Sequence, residues 1–367
     1  MPSPPRPRPP SPLAPSPLPL PMRIAFLINS FETERDVYTT TRLALAAHKG
    51  GHEVLYLSVE DFVCDPDESL KVRVRAPGGT YKTEKTFLAG VVEDGVEDRV
   101  PVGDIDALLL RNDPADDASA RPWAQSAGIV FGQMAARRGC LVLNDPEGLA
   151  KAVNKVYFQR FPAEVRPKTL VTRHADDVRR FIDDHGGDVV LKPFQGSGGE
   201  GVFVVREGDR ANLNQIIDAV CQSGYMVVQE FLEAAAGADT RMFLVNGEPL
   251  QKDGVYAALR RVGAEGDIRS NISAGGEAQE AAVGETELRI AELVRPQLVE
   301  DGMFMVGLDI AGGVLLEVNV FSPGGLGGIQ KLTGVDFAPD VIAAVERKVE
   351  ARKRSSQYLS NVMLATL

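Results

Sequence analysis

The chain reads Phe304-Met-Val-Gly-Leu-Asp-Ile310, then Ala311-Gly-Gly313, then Val314-Leu-Leu-Glu-Val-Asn-Val320, and this stretch decides the predicted fold. Two apolar runs joined by a short glycine-rich link predict a β-hairpin. Glu317 and Asn319 are two positions apart, so their side chains share one face of the second strand, and the alternating apolar residues are predicted to face the core. A link of three residues places Asp309 on the polar face as well, whereas a link of two residues places it on the opposite face.

Carboxylates that share one face of a hairpin repel each other. The repulsion is about 4 kcal/mol at a separation of 4 Å and an effective dielectric constant near 20. A hard divalent cation bound by oxygen ligands offsets it, and Mg²⁺ shared with substrate phosphates is the usual case. Two interpretations stay open at this point: a metal site and a solvent-facing polar stripe.

A second feature is a glycine loop between two predicted strands. It runs from Val189-Val-Leu-Lys192 through Gln195-Gly-Ser-Gly-Gly-Glu-Gly201 into Val202-Phe-Val-Val205. The glycines fit a dinucleotide fingerprint, but that motif must open a helix, and here β-branched and aromatic residues follow at once. No Gly-Lys-Ser/Thr is present, which excludes a P-loop. A loop of this kind covers phosphates with its backbone N–H groups, aided by Lys192, and an ordinary glycine-rich hairpin is the alternative.

The order of the predicted strands and helices indicates how the rest of the chain is organised. Apolar strands alternate with amphipathic helices after Met22, which predicts a parallel, doubly wound sheet, and strands dominate beyond residue 145. Residues 70–100 interrupt this rhythm and are predicted to form a hairpin and loop. Residues 1–21 hold 11 of the 24 prolines and are expected to be disordered, as a natural tail or as sequence upstream of a true start at Met22. Residues 354–367 are predicted to be a weakly ordered tail.

The charge and cysteine content exclude several classes of protein. A net charge of −11 over 367 residues argues against nucleic-acid binding. The sequence contains no apolar run long enough for a membrane helix. Three separated cysteines form no disulfide framework, and a reducing cytoplasm is expected. No sequence pattern indicates a nucleophile–base pair.

In combination these motifs resemble the ATP-grasp superfamily and, within it, the bacterial glutathione synthetases. The resemblance extends from Met22 to about Lys348 and rests on the order and spacing of several short motifs: Leu110-Arg-Asn-Asp-Pro114, Leu143-Asn-Asp-Pro146, Asn154-Lys155, Lys168-Thr-Leu-Val-Thr-Arg173, Leu191-Lys-Pro193, the glycine loop, Gly247-Glu-Pro249, Arg269-Ser-Asn271, Gly275-Gly276, Val306–Ile310, Glu317-Val-Asn319 and Ser322-Pro323. It implies an α/β ATP-grasp fold: a Rossmann-like parallel-sheet domain over 22–145, and two α+β subdomains over 146–230 and 231–353 that clasp ATP, between the tails 1–21 and 354–367.

The resemblance also implies site residues. ATP is expected to contact Lys155, Lys192, Gly196, Ser197, Gly198, Gly199 and Gly201, with an adenine hinge at Glu230, Phe231 and Leu232 and with Asp239 near the ribose. Mg²⁺, or Mn²⁺ in its place, is expected on Asp309, Glu317 and Asn319. The γ-phosphate, the reacting carboxylate or the acyl phosphate is expected on Arg241, Arg261, Arg269 and Asn271, and the substrate on Arg111, Asp113, Ser322, Pro323 and Gly324.

The implied reaction joins γ-glutamylcysteine and glycine through an acyl phosphate, which yields glutathione, ADP and phosphate. Such chemistry needs positioning and charge neutralisation more than a protein nucleophile. One departure is Gly324-Gly-Leu-Gly-Gly-Ile329 after Ser322-Pro323, which is closer to the related ribosomal-protein glutamate ligases. A different ATP-grasp carboxylate–amine ligase, acting on an amino acid, peptide or protein, is therefore the alternative, and a non-catalytic nucleotide-binding module is a further one. Small-molecule substrates and a homo-oligomer, with no nucleic-acid or membrane partner, are expected.

Overall fold

Three larger sheets and one two-stranded sheet organise the computed structural model, which describes residues 21–185, 187–196, 201–222, 224–263, 276–355 and 359–367. The predicted disorder of residues 1–21 therefore concerns a segment that lies, apart from Pro21, outside the described residues. Short 3₁₀ helices connect the elements at Val102–Asp104, Pro122–Ser126, Lys155–Arg160, Ala163–Val165, Glu207–Asn212 and Glu233–Ala235.

The amino-terminal sheet is parallel at its centre, as predicted. Its strands are β1 (Arg23–Ile28), β2 (Glu53–Ser58), β3 (Phe62–Cys64), β4 (Leu70–Ala76), β5 (Val96–Pro101), β6 (Ala107–Leu110) and β7 (Leu141–Leu143). They are ordered β3-β4-β2-β1-β6-β7, with β5 on β4, and the run β2-β1-β6-β7 is parallel. The helices of this unit are α1 (Thr39–Lys49), α2 (Glu84–Val92), α3 (Pro114–Asp117), α4 (Ala127–Arg137) and α5 (Pro146–Lys151). Strand β1 is apolar on both faces because helices cover both sides of a parallel sheet.

The prediction for residues 70–100 is wrong in one respect. Strands β4 and β5 do form an antiparallel pair, but the connection between them contains helix α2 rather than loop alone. Thr83 caps this helix by accepting a hydrogen bond from the backbone N–H of Thr86, and Phe87 and Val91 are buried one turn apart. The helix is short and flanked by charged residues, so its periodicity is weak in the sequence.

The central sheet is antiparallel and has a core of its own. It contains β8 (Thr169–Thr172), β9 (Val189–Pro193), β10 (Phe203–Val205) and β11 (Met226–Glu230), in the order β10-β9-β11-β8. Helices α6 (Ala175–His185) and α7 (Leu213–Cys221) cover one face, where Val178, Leu191, Ile217 and Val228 pack together. The opposite face lines a cleft.

The carboxyl-terminal sheet carries the hairpin on which the fold prediction rests. Its strands are β12 (Ala238–Val245), β13 (Glu248–Pro249), β16 (Ala258–Val262), β17 (Glu277–Glu280), β18 (Met305–Ala311) and β19 (Val314–Asn319), and β14 (Gln251–Lys252) pairs separately with β15 (Val255–Tyr256). Helices α8 (Glu285–Glu300), α9 (Leu326–Thr333), α10 (Ala338–Arg354) and α11 (Asn361–Ala365) complete the chain. Its core is continuous with that of the amino-terminal sheet, since Phe26 and Phe243 belong to one buried cluster.

Asn144 ties the amino-terminal sheet to the hairpin. Its side chain accepts a hydrogen bond from the Met305 backbone N–H and donates to the carbonyl oxygens of Met305 and Val320. All three groups are buried, so the amide is satisfied by both ends of the β18–β19 hairpin. The Leu143-Asn-Asp-Pro146 motif therefore has a structural function at this joint.

The prediction of a weakly ordered tail over 354–367 is wrong for residues 359–367. Helix α11 packs against the edge of the amino-terminal sheet, where the Asn361 side chain both donates to and accepts from the backbone of Val142 at 2.8 Å. Leu364 and Ala365 are buried. The edge strand β7 thus gains a side-chain partner for its free backbone groups.

Asp301 anchors the segment between the first two units, and its removal should destabilise the protein. Its fully buried carboxylate accepts hydrogen bonds from Lys151 at 2.5 Å, Tyr157 at 3.0 Å and Gln297 at 2.7 Å. We expect Asp301→Ala to lower the free energy of unfolding by about 1–3 kcal/mol, because the buried Tyr157 hydroxyl loses its acceptor while Lys151 reaches solvent. Urea unfolding measures this, with Tyr157→Phe as the control that removes the orphaned hydroxyl; equal stability of Asp301→Ala and the wild type would contradict the assignment.

Candidate functional site

The β18–β19 hairpin places Asp309 opposite Glu317. Its link is the two-residue turn Gly312-Gly313, with φ values of +60° and +78° that suit glycine. A two-residue link was expected to put Asp309 on the opposite face, and this expectation is wrong because the pairing shifts by one residue between Asp309 and Ile310. The bulge makes Leu316 the extra residue and restores Asp309 to the face of Glu317.

Asp309 belongs to a cluster of two arginines and three carboxylates on strands β16, β12, β18 and β19, which we call the charge row. In register, Asp309 pairs with Arg241 on one side and Glu317 on the other, and Asp239 pairs with Arg261 in the adjacent row. The Arg241 guanidinium donates to both carboxylate oxygens of Asp309 at 2.7 Å, and Arg261 Nη2 lies 2.7 Å from Asp309 Oδ2. Arg261 also donates to both oxygens of Asp239 at 2.7 Å.

This charge row controls ionisation of the buried Asp309. Burial alone would raise the pKa of Asp309, but the two guanidinium groups outweigh it and lower the pKa below its usual value. The carboxylates of Asp309 and Asp239 raise the pKa of Arg261, against the effect of burial. Asp309 is therefore an ionised carboxylate at neutral pH, held in one orientation by its partners.

A cleft of about 320 Å³ lies between the central and carboxyl-terminal sheets and is bordered by the amino-terminal unit. Most of the predicted site residues in the described part of the chain line it: Asp113, Lys155, Lys192, Gly196, Glu230, Phe231, Leu232, Asp239, Arg261, Asp309, Glu317, Asn319 and Ser322. Leu316 and Val318, predicted to face the core, are half-buried and line the cleft as well. The volume of the cleft and its lining of both apolar and charged residues suit a nucleotide-sized ligand.

The other predicted site residues do not line the cleft or are not described. Arg111, Gly201, Arg241, Pro323 and Gly324 are not among the residues that line it. Arg241 reaches it indirectly, through Asp309, and also donates to the Gly324 carbonyl at 3.4 Å. Ser197, Gly198, Gly199, Arg269 and Asn271 lie outside the described residues.

Lys155 and Lys192 approach the cleft from two different elements, the 3₁₀ helix Lys155–Arg160 and strand β9. Asn154 caps the 3₁₀ helix that begins at Lys155, and Lys155 Nζ donates to the Gly196 carbonyl at 2.7 Å. Lys192 lies on β9 and its Nζ donates to Gln229 Oε1 at 2.6 Å. Gly196 has a φ of +133°, a conformation that a residue with a Cβ rarely adopts, and so starts the glycine loop beside Lys155.

Burial lowers the pKa of both lysines. The pKa of Lys192 falls to about 8, because desolvation disfavours the ammonium and Lys155 repels it, although Glu317 opposes the shift. The pKa of Lys155 is lowered by burial, with Glu317 and Asp113 acting in the opposite direction. Two partly desolvated ammonium groups lie beside the exposed carboxylate of Glu317. Such a site suits an anion at the lysines together with a cation at the carboxylate.

A pH dependence follows from the lowered pKa of Lys192. The ammonium is charged below about pH 8 and loses its charge above. For the ATP that the resemblance implies, kcat/KM should therefore fall as pH rises through 8. In Lys192→Arg the guanidinium stays protonated, and the fall should move to higher pH. Steady-state kinetics between pH 6.5 and 9.5 measure this, with the exposed Lys331→Arg as the matched control. A fall at the same pH in Lys192→Arg and wild type would assign the titration to another group.

The predicted adenine hinge follows β11 at the cleft edge. The Glu230 carboxylate accepts a hydrogen bond from the Lys168 backbone N–H at 2.9 Å, and the Phe231 backbone N–H donates to the Asp188 carbonyl at 3.0 Å. The Arg206 guanidinium lies over the Phe231 ring at 5.7 Å. Asp239, predicted near the ribose, lines the cleft but commits both oxygens to Arg261.

The predicted substrate residues divide between the cleft and the joint behind it. Asp113 lines the cleft, and burial raises its pKa to about 6, helped by Asp116 and Glu317 and opposed by its hydrogen bond from Ala115 N and by Lys155. Arg111 is instead buried, donates to Thr40 and to the Pro323 carbonyl at 3.0 Å, and so supports the Ser322–Gly324 segment from behind. Burial lowers its pKa to about 10.

The donor set on the hairpin fits a hard divalent cation. Asn319 Nδ2 donates to Asp309 Oδ2 at 3.1 Å, which leaves its amide oxygen available as a ligand, and Glu317 makes no ion pair within 4 Å among the described residues. Asp309 Oδ2 already accepts from Arg241, Arg261 and Asn319, whereas among the described residues Oδ1 accepts only from Arg241 Nε and keeps a lone pair for a cation. In the described part of the chain no three His, Cys, Asp or Glu side chains are grouped closely enough to hold a metal. Mg²⁺ is usually bound through one or two carboxylates together with waters and substrate phosphates.

No sequence motif assigned a role to Gln229, although it lines the cleft and contacts Lys192. The available signal was a polar residue directly after the apolar run Met226-Val-Val228. Tyr157 and Phe158, which also line the cleft beside Lys155, had no such signal because their spacing resembles ordinary core.

Family models match both halves of the chain. Residues 22–150 match the prokaryotic glutathione synthetase amino-terminal domain, and residues 154–334 match the prokaryotic glutathione synthetase ATP-grasp domain. A glutathione synthetase from Vibrio parahaemolyticus is 31% identical over 330 residues, which cover 88% of this chain and 96% of that protein. One from Gloeobacter violaceus is 35% identical over 330 residues, with coverage of 88% and 95%.

Solved structures of ATP-grasp enzymes share the fold. The crystal structure of the D-cycloserine synthetase DcsG superposes with a TM-score of 0.61 at 15% identity, over 89% of this chain and 99% of that one. A RimK domain ATP-grasp protein from Sphaerobacter thermophilus gives 0.55 at 18% identity, over 88% and 98%. The predicted fold is confirmed, and the chain belongs to the prokaryotic glutathione synthetase family, as an ATP-dependent carboxylate–amine ligase of the ATP-grasp fold.

Proposed function

We propose that this ligase joins γ-glutamylcysteine to glycine and forms glutathione, ADP and phosphate. The observation that carries the proposal is the single cleft in which Lys155 and Lys192 face the oxygen donors Asp309, Glu317 and Asn319. The similarity to glutathione synthetases over nearly 90% of the chain supports this substrate pair over the alternative ligases. ATP is proposed to lie between the units 146–230 and 231–353.

The charges in the cleft suit phosphoryl transfer followed by acyl transfer. In the first step a carboxylate oxygen of γ-glutamylcysteine bonds to the γ-phosphorus, and the bond from that phosphorus to the bridging oxygen of ADP breaks. In the second step the glycine amine bonds to the acyl carbon, phosphate leaves and the amine gives up a proton. Lys155 and Lys192 bind the phosphates, and the fixed guanidinium of Arg261 stabilises negative charge that develops between them and Asp309.

As a member of this family the chain uses ATP and a divalent metal. We propose that the metal is Mg²⁺, which Mn²⁺ can replace, and that Asp309, Glu317 and Asn319 hold it. When bound, the metal neutralises phosphate charge. Arg241 then keeps the Asp309 carboxylate ionised and oriented toward that position.

The product assay tests the proposal. Purified protein with γ-glutamylcysteine, glycine, ATP and Mg²⁺ should form glutathione and release one phosphate for each glutathione made, and omission of glycine should stop product formation. Absence of glutathione at saturating substrates would contradict it. ADP release with other pairs of carboxylate and amine, but not with this pair, would instead identify another ATP-grasp ligase, as the Gly324–Ile329 stretch would allow.

We also propose a cytoplasmic homo-oligomer. The three cysteines are free, which suits a reducing compartment. In the part of the chain that the structure describes, no helix has the length and apolar character needed to span a bilayer. Light scattering on the purified protein measures its mass, and a monomer at micromolar concentration would contradict the assembly.

A further inference from the structure

A chain of hydrogen bonds crosses the central sheet beneath Lys192. Lys192 Nζ donates to Gln229 Oε1 at 2.6 Å, Gln229 Nε2 donates to Thr169 Oγ1 at 3.1 Å, and Thr169 Oγ1 donates to the Pro167 carbonyl at 2.8 Å. The chain thus joins strands β9, β11 and β8 on the face of the sheet that lines the cleft. Gln229 is the middle member and is only 4% exposed.

Strand periodicity brings these groups together. On β11, Met226 and Val228 pack into the core of the central sheet, whereas Val227 and Gln229 line the cleft. In register, Gln229 lies opposite Val190 on one side and Thr169 on the other. Lys192 is two positions from Val190, within reach of Gln229 on the same face.

The network fixes the orientation of the Gln229 amide. A lysine ammonium has only donors, so the group facing Lys192 must be the amide oxygen. Thr169 gives its hydroxyl hydrogen to Pro167, so it can only accept from the amide nitrogen. The contacts with Lys192 and with Thr169 therefore require the same orientation of the amide. A buried amide whose oxygen and nitrogen are both hydrogen-bonded resists rotation.

We propose that Gln229 is a positioning residue of the ATP site, which holds the Lys192 ammonium at the cleft floor for contact with the nucleotide phosphates. The inference rests on the proposed ATP-binding function of the cleft. A neutral amide suits this role because it orients the ammonium without neutralising it. A carboxylate at this position would form an ion pair with Lys192 and neutralise its charge. Lys192 forms no ion pair within 4 Å among the described residues, so its charge is left for the ligand.

The test compares nucleotide affinity in Gln229→Leu and Gln229→Glu. Calorimetry with Mg²⁺ and a non-hydrolysable ATP analogue should show a Kd increase of about 10–100-fold in each variant, the range expected when a hydrogen bond to a charged group is lost. The affinity for adenosine, which has no phosphate, should stay within about twofold of the wild type. A purely structural role for Gln229 would weaken both ligands together.

The matched control is Thr172→Val. Thr172 lies on β8 like Thr169, but its hydroxyl donates to Asp177 outside the cleft, so its loss should leave both affinities unchanged. If Gln229→Leu does not fold, Thr169→Val supplies the test, since it frees one end of the amide and should weaken the ATP analogue selectively. Wild-type affinity for the analogue in every folded variant would overturn the role of Gln229. Failure of the unaltered protein to bind the analogue would instead overturn the proposed ATP site. If the protein binds the analogue but forms no glutathione, the affinities of the Gln229 variants and the wild type can still be compared.

Discussion

Glu317→Ala should abolish turnover and leave the stability of the protein unchanged. The side chain is exposed at the cleft, opposite Asp309, and forms no ion pair within 4 Å among the described residues. Its removal therefore takes an oxygen donor from the proposed metal site and breaks no ion pair within 4 Å among the described residues. We expect kcat to fall on the order of 10³-fold, equivalent to about 4 kcal/mol of transition-state stabilisation.

Two measurements check this prediction. Phosphate release under saturating substrates gives kcat, and urea unfolding should give a free energy within about 0.5 kcal/mol of the wild type, as for other surface substitutions. Glu317→Gln keeps the shape and removes the charge, so it should lose most of the activity too. The control is Glu248→Ala, an exposed glutamate on the same sheet that pairs with Arg295 outside the cleft. Turnover by Glu317→Ala at the wild-type rate would refute the metal assignment.

Asp309→Asn should lose both turnover and stability. The carboxylate is 2% exposed and holds Arg241 and Arg261 by bonds of 2.7 Å. An amide of the same shape leaves Arg241 without a carboxylate partner among the described residues, whereas Arg261 keeps Asp239. Breaking a buried ion pair in this way costs about 3–5 kcal/mol, because a charge stays buried without its partner.

The double variant Asp309→Asn/Arg241→Met separates the two losses. It removes the uncompensated guanidinium as well, so unfolding experiments should recover part of the lost free energy while turnover stays absent. Asp309→Asn with unchanged unfolding would show that the charge row does not stabilise the sheet. The contrast with Glu317 is then direct: the two carboxylates face each other, but only the buried one contributes to folding.

The positions of strands and helices were largely predictable because they depend on local periodicity. The alternation of strands and helices in the amino-terminal unit and the β18–β19 hairpin were predicted from apolar runs and their spacing, and the structure contains both. Short elements were missed, as with α2 and α11, because their stability comes from burying Phe87 or Leu364 against distant parts of the chain. The residues of the cleft were predicted by resemblance of motifs, and the geometry brings most of the described ones together.

What the sequence alone determined is that Glu317 and Asn319 share one face and that a glycine loop follows Lys192. Both statements follow from the two-residue period of a strand and the conformational freedom of glycine. Only the tertiary structure decided that Asp309 joins them, since a one-residue bulge at Leu316 reverses what the two-glycine turn predicts. Only the tertiary structure placed Gln229 beneath Lys192. Strand register and the neighbours of a residue across a sheet depend on packing between segments that are far apart in the chain. Local periodicity in the sequence does not show that packing.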